Sequence, residues 1–199
     1  MSFLLWLAAI ADPASGMSSD VPAHHQAAWI ACRNEKLDFS LESLGNEMEG
    51  CEALIAADDV DDEIKAIAHS NRGMLMAQAS FLVTAKDELD RAIKLNPKLA
   101  PAYYNRAMVF EATGDRKGAI ADYSTAIEIN PKMVEAYINR GIARAKAEES
   151  VLALADFNKA IELEPGSVDL YENRAHLLRA MGRVKEAEAD LVKVKELAK

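Results

Sequence analysis

Two cysteines and four histidines carry the readiest chemistry in this chain. Cys32 and Cys51 are the only cysteines, and an isolated pair in an oxidising compartment most simply closes one disulfide. A loop of roughly 20 residues closed this way adds about 3 kcal/mol by the chain-entropy account. The alternative makes Cys51 a small core residue, since it stands in register with a later column of alanines. No histidine accompanies the pair at a metal-ligand spacing. His24 and His25 are adjacent and near the N-terminus, while His69 and His176 are single residues in helical stretches. Neither a zinc centre nor a Cys–His nucleophile is expected, and no metal or cofactor is assigned. The run Asp58-Asp59-Val60-Asp61-Asp62-Glu63 lacks the ligand spacing and glycine of a calcium loop. It reads as a solvated turn whose charge favours the positive end of the next helix. With no glycine-rich phosphate loop and no nucleophile elbow, the chain is expected not to be an enzyme.

The remaining candidates appear only when the chain is written in rows starting at Ala66, Ala100, Val134 and Val168, each 34 residues after the last. Column six is Asn71, Asn105, Asn139 and Asn173, and column seven is Arg72, Arg106, Arg140 and Arg174. Column twenty-three is Glu88, Asp122, Asp156 and Asp190. An asparagine amide holds both a donor and an acceptor, so such a ladder could pair with the backbone of an extended peptide. It could equally satisfy neighbouring backbone or the adjacent arginine. A guanidinium recurring with a carboxylate sixteen residues on reads as scaffold, a charge-assisted bond within or between rows. Anion binding is the alternative for that column.

The elements that position these columns are amphipathic helices. Tyr103, Ala107 and Phe110 recur at helical spacing, and Ala119, Tyr123, Ala126 and Ile127 give the following segment its own stripe. Gly114 suits the left-handed residue that closes the first helix, and Asp115 suits the cap of the second. Small residues recur at columns eight, twenty and twenty-seven, and three rows close with Pro97, Pro131 and Pro165. Eight helices are expected, about 64–78, 82–95, 101–113, 116–129, 135–147, 151–163, 168–181 and 184–198. Two such helices cannot bury both stripes alone, so the rows must stack.

A period of 34 with this content resembles the tetratricopeptide repeat family over roughly the last two-thirds of the chain. The departures are His69 where later rows have Tyr, and Ser80 and Glu148 where the inter-helix turn favours Gly. The resemblance implies an all-α, right-handed superhelical array of helix-turn-helix repeats, with the first helix of each repeat lining a concave groove. It also implies that Tyr104, Met74, Met108, Ile138, Ile142 and Arg179 join the Asn ladder as peptide-binding residues, and that Glu172 and His176 charge the C-terminal part of the groove. The Lys and Asn clamp of chaperone-binding members is missing, its positions holding Ser70, Tyr104, Met74 and Met108. The implied function is a non-catalytic scaffold binding an extended segment of a protein partner at roughly micromolar affinity. The alternative is an assembly module that acts through oligomerisation or edge surfaces and leaves the groove idle.

Charge and compartment complete the reading. Residues 1–65 hold 13 acidic and 3 basic side chains, against 19 and 20 in residues 66–199. An acidic chain with a near-neutral array is a poor nucleic-acid binder, and no apolar run reaches membrane-spanning length. The start, Met1 to Ala11, resembles a signal-peptide core ending in Ala9-Ile10-Ala11, although it lacks a basic head. Export to the periplasm or outside is therefore expected, a cytoplasmic chain with an apolar first helix being the alternative. The expected domains are 1–21, signal peptide and linker; 22–65, a degenerate helical hairpin acting as a cap; and 66–199, four repeats at 66–99, 100–133, 134–167 and 168–199.

Overall fold

A computed structural model describes residues 21–33 and 41–198, with side chains in the second stretch from residue 45. The apolar start and the linker up to residue 20 lie outside the described residues. The described residues are all-α, with a 3-10 turn Ala23–His25 leading into α1 (Gln26–Cys32) and α2 (Leu41–Ala56). The repeat region then runs α3 (Asp62–Gln78), α4 (Leu82–Leu95), α5 (Ala100–Thr113), α6 (Arg116–Ile129), α7 (Val134–Lys146), α8 (Ser150–Leu163), α9 (Val168–Ala180) and α10 (Val184–Leu197). These eight helices keep to the expected bounds within two residues at each end. The expected N-terminal hairpin within 22–65 is formed by α1, which ends at Cys32, and α2, which starts at Leu41.

Local chemistry sets the helix ends. Asp61 caps α3 by accepting from the Ile64 amide at 2.8 Å, and Asp62 and Glu63 fill its first turn. Asp115 caps α6 through the Gly118 amide at 2.9 Å. Column fifteen closes each first helix with a left-handed residue: Ser80 at φ 67°, Gly114 at 85°, Glu148 at 65° and Gly182 at 76°. Asn96 and Asn130 close α4 and α6 by accepting from the amides of Lys98 and Lys132, beside Pro97 and Pro131.

The chain packs as two compact units, Met1–Gly114 and Asp115–Lys199. In the first, α1 lies on α2, α2 on α3, and α3 and α4 pair and meet α5. Its core joins Trp29, Leu54, Val60 and Ile64 to the repeat residues Ala92 and Ala102. Full burial of a side chain such as Leu54 contributes about 2 kcal/mol. Cys32 and Cys51 sit in this core joined by a disulfide. Gly50 explains the close approach of α1 and α2: a methyl there would stand 2.7 Å from the Ala28 carbonyl oxygen and 2.8 Å from the Cys32 nitrogen. In the second unit α6 meets α7, α7 pairs with α8, α8 meets α9, and α9 pairs with α10. Ala153, Phe157 and Leu177 form one apolar centre there, and Ala175, Leu178 and Ala187 another.

Candidate functional site

The arginine column is the most completely connected feature of the repeats. Arg72 donates from Nε and Nη2 to Glu88 Oε2 at 2.8 and 2.7 Å. Arg140 grips both oxygens of Asp156 at 3.1 and 2.7 Å, and Arg174 both oxygens of Asp190 at 2.9 and 2.6 Å. Glu88, Asp156 and Asp190 are buried, so each carboxylate depends on its guanidinium for compensation. Donating to Asp190 is the main reason the Arg174 pKa is raised. Arg106 in the first unit donates to Asp90 at 2.6 Å; Asp122 is buried in the second.

Each later arginine also reaches back to the preceding row. Arg106 meets Asp90, Arg140 donates to Ser124 Oγ at 3.0 Å, and Arg174 donates to Asn158 Oδ1 at 2.7 Å. The acceptors occupy column twenty-five, which sequence reasoning passed over. Their signal was available: the column is polar in the three rows that an arginine row follows, and Val192 in the last. The same arginines lie over the column-four tyrosines, at 5.6 Å from Tyr103, 5.6 Å from Tyr137 and 5.7 Å from Tyr171. One guanidinium thus ties an aromatic ring and a polar group of the preceding row, and in the second unit a buried acid as well.

The first row does this differently. His69 replaces the tyrosine and donates from Nδ1 to Glu88 Oε2 at 2.8 Å, the oxygen that Arg72 also holds. Burial lowers the His69 pKa, so the ring is neutral and serves as a donor. Burial by itself would push the Glu88 carboxyl up, but hydrogen bonds from His69 and Arg72 hold it below the ordinary value.

The residues expected to face a peptide divide by unit. In the first, Tyr104, Met74 and Met108 are 7%, 9% and 4% exposed, so they are packing residues and offer little surface to a guest. Asn105 donates to Ser70 Oγ and Asn71 to the Cys32 carbonyl, both at 3.2 Å. Columns five and six here join α5 to α3, and α3 to the end of α1, which is why these amides face protein. In the second unit Ile138, Asn139 and Ile142 on α7 and Asn173 on α9 are partly exposed. Ile142 also packs against the Phe157–Leu177 centre. Glu172, His176 and Arg179 on α9 are exposed.

Tetratricopeptide repeat models match residues 100–133 and 157–189. Those two stretches are tetratricopeptide repeats. The tetratricopeptide fold extends beyond the matched stretches. A crystal structure of MamA superposes with a TM-score of 0.69 at 20% identity, covering 79% of this chain and 90% of that one. MamA 41-end from Desulfovibrio magneticus RS-1 gives 0.71 at 18% identity, covering 92% and 96%. At that identity the likeness concerns fold. No curated protein matches the sequence. Tetratricopeptide repeats point to a protein-interaction scaffold, a class that is generally non-catalytic. Among the described residues no helix is long and apolar enough to cross a membrane.

Proposed function

We propose that this protein is a non-catalytic scaffold that holds an extended segment of a partner protein along α7 and α9. One observation carries the reading: the second unit leaves Ile138 and Asn173 partly accessible and Arg179 exposed on its first helices, whereas Ser70 and Tyr104, which share the column of Ile138 in the first unit, are buried. Ile138 supplies an apolar contact, the Asn173 amide offers backbone pairing, and Arg179 selects an acidic side chain or terminus in the guest. Affinity arises from several such contacts at about 1 kcal/mol each, less the cost of ordering the peptide. The Cys32–Cys51 disulfide supports action in an oxidising compartment, such as the periplasm or the exterior.

The test compares partner capture by the native chain and by an Asn139→Ala, Asn173→Ala, Arg179→Glu variant. Loss of capture with unchanged helicity and melting is the expected result. Equal capture by the two chains would exclude this face.

A second reading, assembly through edge or convex surfaces, draws on a different observation. Phe81, Val83, Val151, Leu152 and Val184 are exposed at or beside the starts of second helices. Sedimentation at rising concentration separates the two, because only assembly through these residues gives an oligomer that Val83→Lys and Val151→Lys dissolve.

A further inference from the structure

We propose that His24, His25 and Asp59 form a binding site for a divalent metal ion of the zinc class. His24 Nε2 lies 2.7 Å from Asp59 Oδ2, and His25 Nε2 lies 2.9 Å from Asp59 Oδ1. The candidate ligand atoms of the three residues all fall within 4.8 Å of one another. Ligands sharing a tetrahedral zinc ion at 2.0–2.2 Å stand about 3.4 Å apart, so small side-chain rotations suffice to admit it. The two imidazole rings sit 4.2 Å apart and tilted, with both Nε2 atoms reaching the same carboxylate.

The backbone beneath the ligands is anchored. The histidines occupy the 3-10 turn, closed by the His25 amide on the Pro22 carbonyl at 2.8 Å. Gln26 Nε2 ties the preceding strand of chain down at the Val21 carbonyl, 2.7 Å away. Val21 on one side and Val60 on the other are buried in a single apolar cluster, which holds the turn against the connection between α2 and α3. The site is therefore built before an ion arrives.

The donor set selects the metal. Two imidazole nitrogens and one carboxylate oxygen suit zinc, cobalt, nickel or copper, whereas calcium and magnesium call for oxygen ligands throughout. His24 and Asp59 have side chains 66% and 53% exposed, His25 only 19%, leaving a fourth position open to water. The ion would clasp the start of α1 to the end of α2, while the Cys32–Cys51 disulfide fastens the other end of α1.

The experiment strips the full chain with chelator and titrates it with Zn²⁺ by calorimetry and with Co²⁺ by visible absorption. One saturable equivalent is expected, together with a Zn²⁺-dependent rise in melting temperature. Asp59→Asn and His25→Ala should each weaken binding about tenfold or more and remove that rise, while His176→Ala leaves both unchanged. Melting of the variants in chelator, equal to that of the native chain, establishes that they fold. Binding that both variants retain, or the lack of any saturable equivalent, means an adventitious ion only and overturns the site.

Discussion

At the scale of single residues, the arginine column decides stability because its partners are buried. Asp156 keeps both oxygens on Arg140, and Arg144 adds a further bond at 2.8 Å. Removing Arg140 strands part of that charge, so Arg140→Ala should cost about 3 kcal/mol in denaturant unfolding. Arg140→Lys should recover only part of this, since an ammonium cannot reproduce the two-pronged grip. The exposed pair Arg183–Glu186 has equally short bonds but stays in water, and Arg183→Ala should leave the midpoint where it was. His69 gives the first row its own pH dependence. Its folded pKa lies below the ordinary 6.5, so its contribution is complete above that pH. As pH falls below 6.5 the unfolded chain takes up a proton that the buried ring refuses, and stability declines until the folded value is passed. The lowered Glu88 carboxyl acts in the same direction, in a window below its ordinary 4.5. Unfolding of His69→Tyr between pH 7 and 5 should show a shallower decline than the native chain. An identical slope would remove His69 from the account.

At the scale of helices and turns, the four left-handed column-fifteen residues form a natural comparison. Gly114 and Gly182 adopt φ 85° and 76° without penalty, whereas Ser80 and Glu148 hold 67° and 65° with a Cβ in place. Relief of about 1–2 kcal/mol, less the 0.5–1 kcal/mol of extra freedom glycine has when unfolded, leaves a modest gain. Ser80→Gly and Glu148→Gly should therefore each stabilise by about 0.5–1 kcal/mol, read as a higher denaturation midpoint. Gly50 argues the other way. Glycine inside a helix looks like a weakness in sequence, but α1 backbone atoms occupy the place of its side chain. Gly50→Ala should cost about 2 kcal/mol and spread α1 from α2.

At the scale of the molecule, the disulfide joins two buried positions in the first unit. Cys32→Ser with Cys51→Ser should lower stability by about 3 kcal/mol. Amide exchange should rise in α1 through α3 and stay unchanged in α9 and α10, because repeats chiefly support their neighbours. Much of this architecture was legible in the chain by itself. Apolar stripes, glycine or asparagine at turns and the period of 34 dictate where helices start and stop, since those rules act over a few residues. Recurrence also placed Arg72, Arg140 and Arg174 within reach of Glu88, Asp156 and Asp190, because equal spacing repeats one geometry. Accessibility was a different matter. Tyr104, Met74 and Met108 share columns with partly exposed residues of later rows, and only the packing around α3 and α5 decided that they are buried. Asn71 and Asn105 likewise met partners 39 and 35 residues away. His25 and Asp59 came together across 34 residues with no motif to announce them. A column states which residue recurs, while burial and partnership depend on how large the neighbouring side chains are and how the backbone closes, and tertiary structure alone settles those.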